Sequence, residues 1–223
     1  LEGKKTEDSL PIATSTNTTL SGVSMTGDGT IEAVSLGESV KLPPMPTLDH
    51  SSSIKNDLPV EAQKIILTRI ESLVSDIRKD KTNVNNWIKL GVQWKTLGDL
   101  AYAKEVWEYA KMLNPDYYLP YSNLGDLYHY YLKDFKKSEE NWKKAFELKE
   151  DHVMAYHELA KLYEYSLKEK ASEIPRVLNA GLAKNPKAVD LVVDLAAYYR
   201  RIGRTEEAKT AYDRAIKMAE ASG

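Results

Sequence analysis

Cysteine is absent from the chain, which excludes disulfides, thiolate metal sites and cysteine nucleophiles but leaves the compartment open. No apolar run reaches the ~18 residues that a membrane-spanning helix needs. An excess of either charge is missing too. Lys and Arg number 31 against 33 Asp and Glu, a net of -2, whereas a nucleic-acid binder shows a strongly basic face. There is no P-loop, GxSxG turn, dinucleotide fingerprint or recognisable acid–base pair. Nothing in the sequence therefore points to an enzyme or to a cofactor. What is present is a chain of 223 residues, 42% hydrophobic and 29% charged, most of which can bury a core in one large domain or two small ones.

Two compositions follow one another. Residues 1–57 hold four Lys and eight Asp or Glu, a net of -4. They run through the small polar stretch Thr14-Ser15-Thr16-Asn17-Thr18-Thr19, glycines at 22, 27, 29 and 37, and Leu42-Pro43-Pro44-Met45-Pro46. The prolines favour extended polyproline geometry. Such a tail buries too little apolar surface to offset its ordering entropy. One part of it fits a short β-hairpin. Leu20, Val23 and Met25 lead into Thr26-Gly27-Asp28-Gly29-Thr30, and Ile31, Ala33, Val34 and Leu36 follow. Asp-Gly supplies the positive φ angles of a tight turn. Asp28 lacks the alternating carboxylates of a calcium loop, so it reads as a turn residue. Helical periodicity begins at Pro59. Ile65, Ile66, Ile70, Leu73, Val74 and Ile77 predict a leading helix within 58–82, able to cap what comes next.

Self-similarity starts near Val84. Trp87, Leu90-Gly91, Trp94, Ala103, Trp107, Ala110 and Pro115 return as Tyr121, Leu124-Gly125, Tyr128, Ser138, Trp142 and Ala145. They return again as Tyr156, Leu159-Ala160, Tyr163, Ile174, Leu178, Gly181 and Pro186, and then as Val192, Leu195-Ala196, Tyr199, Gly203, Ala208, Tyr212 and Ala215. The first residues of these series lie 34, 35 and 36 apart, and those at the Trp107 place lie 35, 36 and 34 apart. The surplus residues fall in 130–135 and 166–172. This pattern resembles the tetratricopeptide repeat family over residues 84–219. The resemblance implies an all-α, right-handed superhelical solenoid of helix-turn-helix repeats at about 84–117, 118–152, 153–188 and 189–223. In each, a small residue (Gly91, Gly125, Ala160, Ala196) lets the second helix approach. Large residues such as Trp94 fill the space between helices, and Trp107, Trp142, Leu178 and Tyr212 pack against the next pair. Copy three departs from the pattern at Ile174, Leu178 and Gly181, which predicts a looser pair.

The four Trp fall on repeat positions and read as core. His157-Glu158-Leu159-Ala160-Lys161 misses the zinc-protease motif, because Lys161 replaces the second histidine. His129 and His157 offer too few ligands for a metal site. The Lys136-Lys137 and Glu206-Glu207 runs read as solvated helix faces. In the resembled family the first helix of each pair lines the concave groove. Carried onto this chain, that face is Asn85, Lys89, Val92, Ser122, Asp126, His129, His157, Lys161, Asp194, Ala197 and Arg201. The carboxylate clamp of some members needs Lys and Asn where this chain has Ile88 and Val92, so that mode is not supported. Tyr130 could serve as an aromatic anchor.

The resemblance thus implies a non-catalytic protein-interaction scaffold that takes an extended segment or helix of a partner protein in its groove. The alternative is a self-assembling structural subunit, an extracellular filament or multimer. There residues 1–57 dock on a neighbouring copy, and Ala211, Tyr212, Ala215 and Ile216 form an end-to-end contact. That the first residue is Leu1 leaves room for a signal or anchor removed upstream. The Ser/Thr-rich tail resembles spacers of exported proteins, and Asn17-Thr18-Thr19 is a glycosylation acceptor pattern that matters only in an exported chain. The expected location is extracytoplasmic or at the cell surface, with a cytoplasmic adaptor as the other option.

Overall fold

The computed structural model describes residues 21–25, 31–35, 44–51 and 57–221, and the chain divides into two compact units, Leu1–Leu42 and Pro43–Gly223. In the first, strand β1 (Ser21–Met25) pairs antiparallel with β2 (Ile31–Ser35), Ser21 opposite Ser35 and Met25 opposite Ile31. This is the hairpin expected around Asp28-Gly29. Asn17 and the turn at 26–30 lie outside the described residues.

The second unit is helical. Helix α1 (Val60–Lys79) starts at Pro59, whose carbonyl accepts from the Gln63 amide at 3.0 Å. It lays Ile66, Ile70 and Ile77 against α2. Ile65, expected on the same face, is 53% exposed, because one residue is a 100° step around the helix. Four helix pairs follow: α2 (Val84–Thr96) with α3 (Leu100–Leu113), α4 (Tyr118–Asp126) with α5 (Phe135–Leu148), α6 (Val153–Tyr165) with α7 (Ile174–Lys184), and α8 (Val189–Arg201) with α9 (Thr205–Glu220). Each element packs on its sequence neighbours, giving the solenoid. One apolar cluster runs through α1–α4 and a second through α5–α9.

The repeat's physics is an aromatic ring set on a missing side chain. A Cβ at Gly91 would lie 2.3 Å from Trp107 Nε1, and one at Gly125 would lie 2.8 Å from the Trp142 ring. These indoles therefore lock the two helices of their own pair together, and they also share apolar clusters with the next pair, as expected, Trp107 with Leu124 and Trp142 with Tyr156 and Leu159. Trp107 Nε1 donates to the Ile88 carbonyl at 3.1 Å, and Ser138 Oγ donates to the Gly125 carbonyl at 2.8 Å, so the close approach also satisfies polar atoms. A second device recurs at the head of the first helix in copies one to three. Trp87 Nε1 donates to the Lys81 carbonyl at 2.8 Å, and the Tyr121 and Tyr156 hydroxyls donate to the carbonyls of Pro115 and Glu150 at 3.0 Å. Each ring thus reaches six residues back and pins the preceding turn. Val192 at the fourth copy has no such group.

The surplus residues have a visible fate. In copy two, α4 runs on into a π turn (Leu127–Leu132) that ends at Lys133 with φ +57°, a π turn being the helical form that absorbs one extra residue. In copy three a 3₁₀ segment (Lys168–Glu173) takes up the excess. There α6 and α7 meet less extensively than the helices of the other three pairs, as expected. Gly181 works in the opposite sense to Gly91: its open Cα admits Tyr156 and the Leu191 methyl, each 2.7 Å from where a Cβ would stand.

Truncation of Trp107, 1% exposed, to Ala should cost about 3–5 kcal/mol in urea unfolding. Gly91→Ala should cost about 1–3 kcal/mol although it adds a single methyl to a helix. A neutral or stabilising Gly91→Ala, the result ordinary helix propensity gives, would contradict this packing.

Candidate functional site

The first helices α2, α4, α6 and α8 stand side by side, and their shared face carries charges that interlock between copies. Lys95 of α2 pairs with Asp126 of α4. Tyr130 of the π turn donates its hydroxyl to Glu158 of α6. His157 of α6 pairs with Asp194 of α8, and Glu164 of α6 with Arg201 of α8. Within α6, Lys161 lies 3.6 Å from Glu158. Lys95 Nζ also sits 4.8 Å from the Tyr131 ring centre, within cation–π range.

Of the eleven residues predicted for this face, Asp126, His157, Lys161, Asp194 and Arg201 join that ladder. Asn85 Oδ1 accepts from the Tyr117 hydroxyl at 3.2 Å. Lys89 and Val92 are exposed and Ala197 is partly buried. Ser122 and His129 are buried and are spent inside the fold: Ser122 Oγ lies 2.9 Å from His152 Nε2, and His129 Nε2 lies 3.2 Å from Ser166 Oγ. Burial pushes both His129 and His152 below the ordinary histidine value. His129 Nδ1 has no partner among the described residues. No group of three or more His, Asp or Glu side chains among the described residues could hold a metal ion. At the far end, Ala211 and Ala215 are buried in the cluster that α8 and α9 share and have little surface to offer a neighbour. Tyr212 is half-buried, and Ile216 is 56% exposed.

Sequence reasoning missed two features. The first is residues 44–51, assigned to the tail but seated on the first copy. Pro46 is buried and Leu48 joins the α1–α4 cluster. The Thr47 carbonyl accepts from the Tyr102 hydroxyl. His50 stacks on Tyr102 at 3.7 Å and 8°, meets Trp94 edge-on at 4.8 Å, and donates through Nε2 to Asp99 Oδ2 at 2.9 Å. Asp49 pairs with Arg78. Residues 44–51 form neither helix nor strand, so Arg78 of α1, Tyr102 of α3 and Asp99 before it meet their polar groups. The proline run gave the extended geometry, but nothing in the pattern gave the docking surface. The second is Glu139, one of a charged stretch yet only 6% exposed. It accepts from Lys143 Nζ and from the Tyr163 hydroxyl, each at 2.6 Å, and from Lys170. Burial alone would raise this carboxyl, but the bonds from Lys143, Lys170 and Tyr163 outweigh it and hold it at about 2. One carboxylate thereby ties α5, α6 and the 3₁₀ segment together.

These pairs set pH dependence. Glu139 is depressed on folding, so its stabilisation is present above the ordinary carboxylate range and lost as pH falls from about 5 toward 2. Glu139→Gln should therefore cost about 2–3 kcal/mol at neutral pH. The gap from the wild type should narrow in urea titrations run at successively lower pH. Asp194 raises His157, against a smaller lowering by burial. That contribution is complete below 6.5, the unfolded value, and fades as pH rises through the higher folded value. Asp194→Asn should destabilise by about 1 kcal/mol near pH 6 and by less at pH 9. An equal cost at both would show the pair to be uncharged.

Comparison with known proteins agrees with this architecture. Residues 189–222 match the tetratricopeptide repeat model. No curated protein matches the chain by sequence. The crystal structure of MamA is 16% identical with a TM-score of 0.60, the match covering 75% of this chain and 98% of that one. MamA 41-end from Desulfovibrio magneticus RS-1 is 15% identical with a TM-score of 0.56, covering 72% and 93%. A tetratricopeptide repeat protein from Parabacteroides merdae is 19% identical with a TM-score of 0.52, covering 71% of this chain and 60% of that one. Identities this low speak for the fold alone. The repeat pattern, the stacked helix pairs and the match at residues 189–222 together give the chain the fold of a tetratricopeptide-repeat solenoid.

Proposed function

We propose that this chain is a non-catalytic scaffold that holds an extended segment or helix of a partner protein against the face built by α2, α4, α6 and α8. The observation that carries the reading is the state of that face in the free chain. Its charges are already matched between copies, while Val92, Tyr130 and Val193 remain about 40% exposed beside them. A face ordered before it meets a partner spends little of its contact energy on its own ordering. Exposed apolar and aromatic side chains among satisfied polar groups are the composition of an interaction surface. The fold adds to this by analogy only, since one fold hosts many functions.

The test uses a peptide selected from a random library on the wild-type protein. Val92→Asp with Val193→Asp should weaken its binding at least about tenfold. Both side chains are exposed, so thermal unfolding should change little. Undiminished binding would move the site off this face.

A further inference from the structure

The charge ladder is incomplete at one end. In copies three and four, the residue two places after the ring or Val at the head of the first helix reaches back to the copy before: Glu158 to Tyr130, and Asp194 to His157. The same place in copy one is Lys89. Among the described residues no earlier first helix faces it; α1 lies there instead. Lys89 and Gln93 of α2, with Arg69, Ser72 and Leu73 of α1, line an open cleft of about 250 Å³. No carboxylate lines it, and neither Arg69 nor Lys89 has an ion pair among the described residues. Two basic residues, a serine and a glutamine line this open cleft, and no acidic residue lines it with them. Elsewhere on this face the structure gives Lys95, His157, Lys161 and Arg201 each an acidic partner.

We infer that this cleft receives an Asp or Glu side chain from one end of the segment held on the first-helix face, and so fixes the direction in which that segment lies. The inference rests on the binding face proposed above. Lys89 and Val92 are three residues apart on α2 and share its exposed side, so a segment lying over Val92 passes the mouth of the cleft. The planar guanidinium of Arg69 and the ammonium of Lys89 suit a carboxylate. The solvated setting makes the contact a selector of orientation more than a source of affinity. The sequence places Lys89 on the groove face but gives no hint of the cleft, because Arg69 lies outside the repeat pattern.

The experiment selects peptides from a random library, displayed with both ends fused, on the wild type and on Arg69→Gln/Lys89→Gln. Wild-type binders should be enriched in Asp or Glu at one end. Changing those acids to Asn or Gln should weaken binding by about fivefold to tenfold, and the double variant should bind both forms alike. Its unfolding should match the wild type, since neither side chain is in an ion pair. Wild-type binders without an acidic end, or an acidic preference kept by the double variant, would overturn the inference. Either result leaves the binding face standing, because the Val92→Asp/Val193→Asp protein tests that face separately. Selection of phosphorylated peptides over acidic ones from a parallel library would equally overturn it. Failure to select any peptide on the wild type would remove both readings together.

Discussion

The structure depends on how closely two helices of a pair can lie. At Gly91 and Gly125 there is no Cβ, and the rings of Trp107 and Trp142 occupy the space that one would fill. That contact sets the helix spacing, buries Trp107 and Trp142, and brings the Ile88 and Gly125 carbonyls to donors on the partner helix. A pair held this way still leaves an apolar side uncovered, so copies must stack. Stacking in turn aligns the first helices. The face shared by the first helices is a by-product of close packing some way behind it.

Alignment at fixed spacing explains why the charges interlock. Once α4, α6 and α8 repeat along the stack, an acid at one place on a first helix reaches back to the copy before it, as Glu158 does to Tyr130 and Asp194 to His157. Insertions would upset this if they were carried along the helices. They are not, because the π turn after Asp126 and the 3₁₀ segment after Tyr165 absorb the surplus between the helices of a pair. The π turn also swings Tyr130 to Glu158 and Tyr131 to Lys95, so the irregular turn joins the face of the first helices. Glu139 serves copy three similarly from the other side. Where α6 and α7 meet less extensively, its bonds to Tyr163 and Lys170 join α6 and the 3₁₀ segment to α5.

The front of the solenoid is closed twice. Helix α1 covers α2 through Ile66, Ile70 and Ile77, and residues 44–51 lie across α1 and α3 through Leu48, His50 and the Thr47 carbonyl. At the far end α9 turns Ala208, Ala211 and Ala215 inward and leaves Asp213, Arg214 and Lys217 outward.

The sequence alone determined the helix pairs, their number, their small and large positions, and where the extra residues had to go. All of these follow from a period that one chain repeats four times and from side-chain size at set places in it. The sequence also located most of the face that the first helices share, because a first helix in a regular stack can point only one side outward. Three things were decided by tertiary structure alone. Ser122 and His129 were withdrawn from the face into the interior, the proline-flanked segment found its seat against Tyr102 and Trp94, and Arg69 came to stand beside Lys89 without a counter-charge. Each joins residues from different helices or from outside the repeat, and periodicity within one chain carries no information about which surfaces meet when separate periods pack.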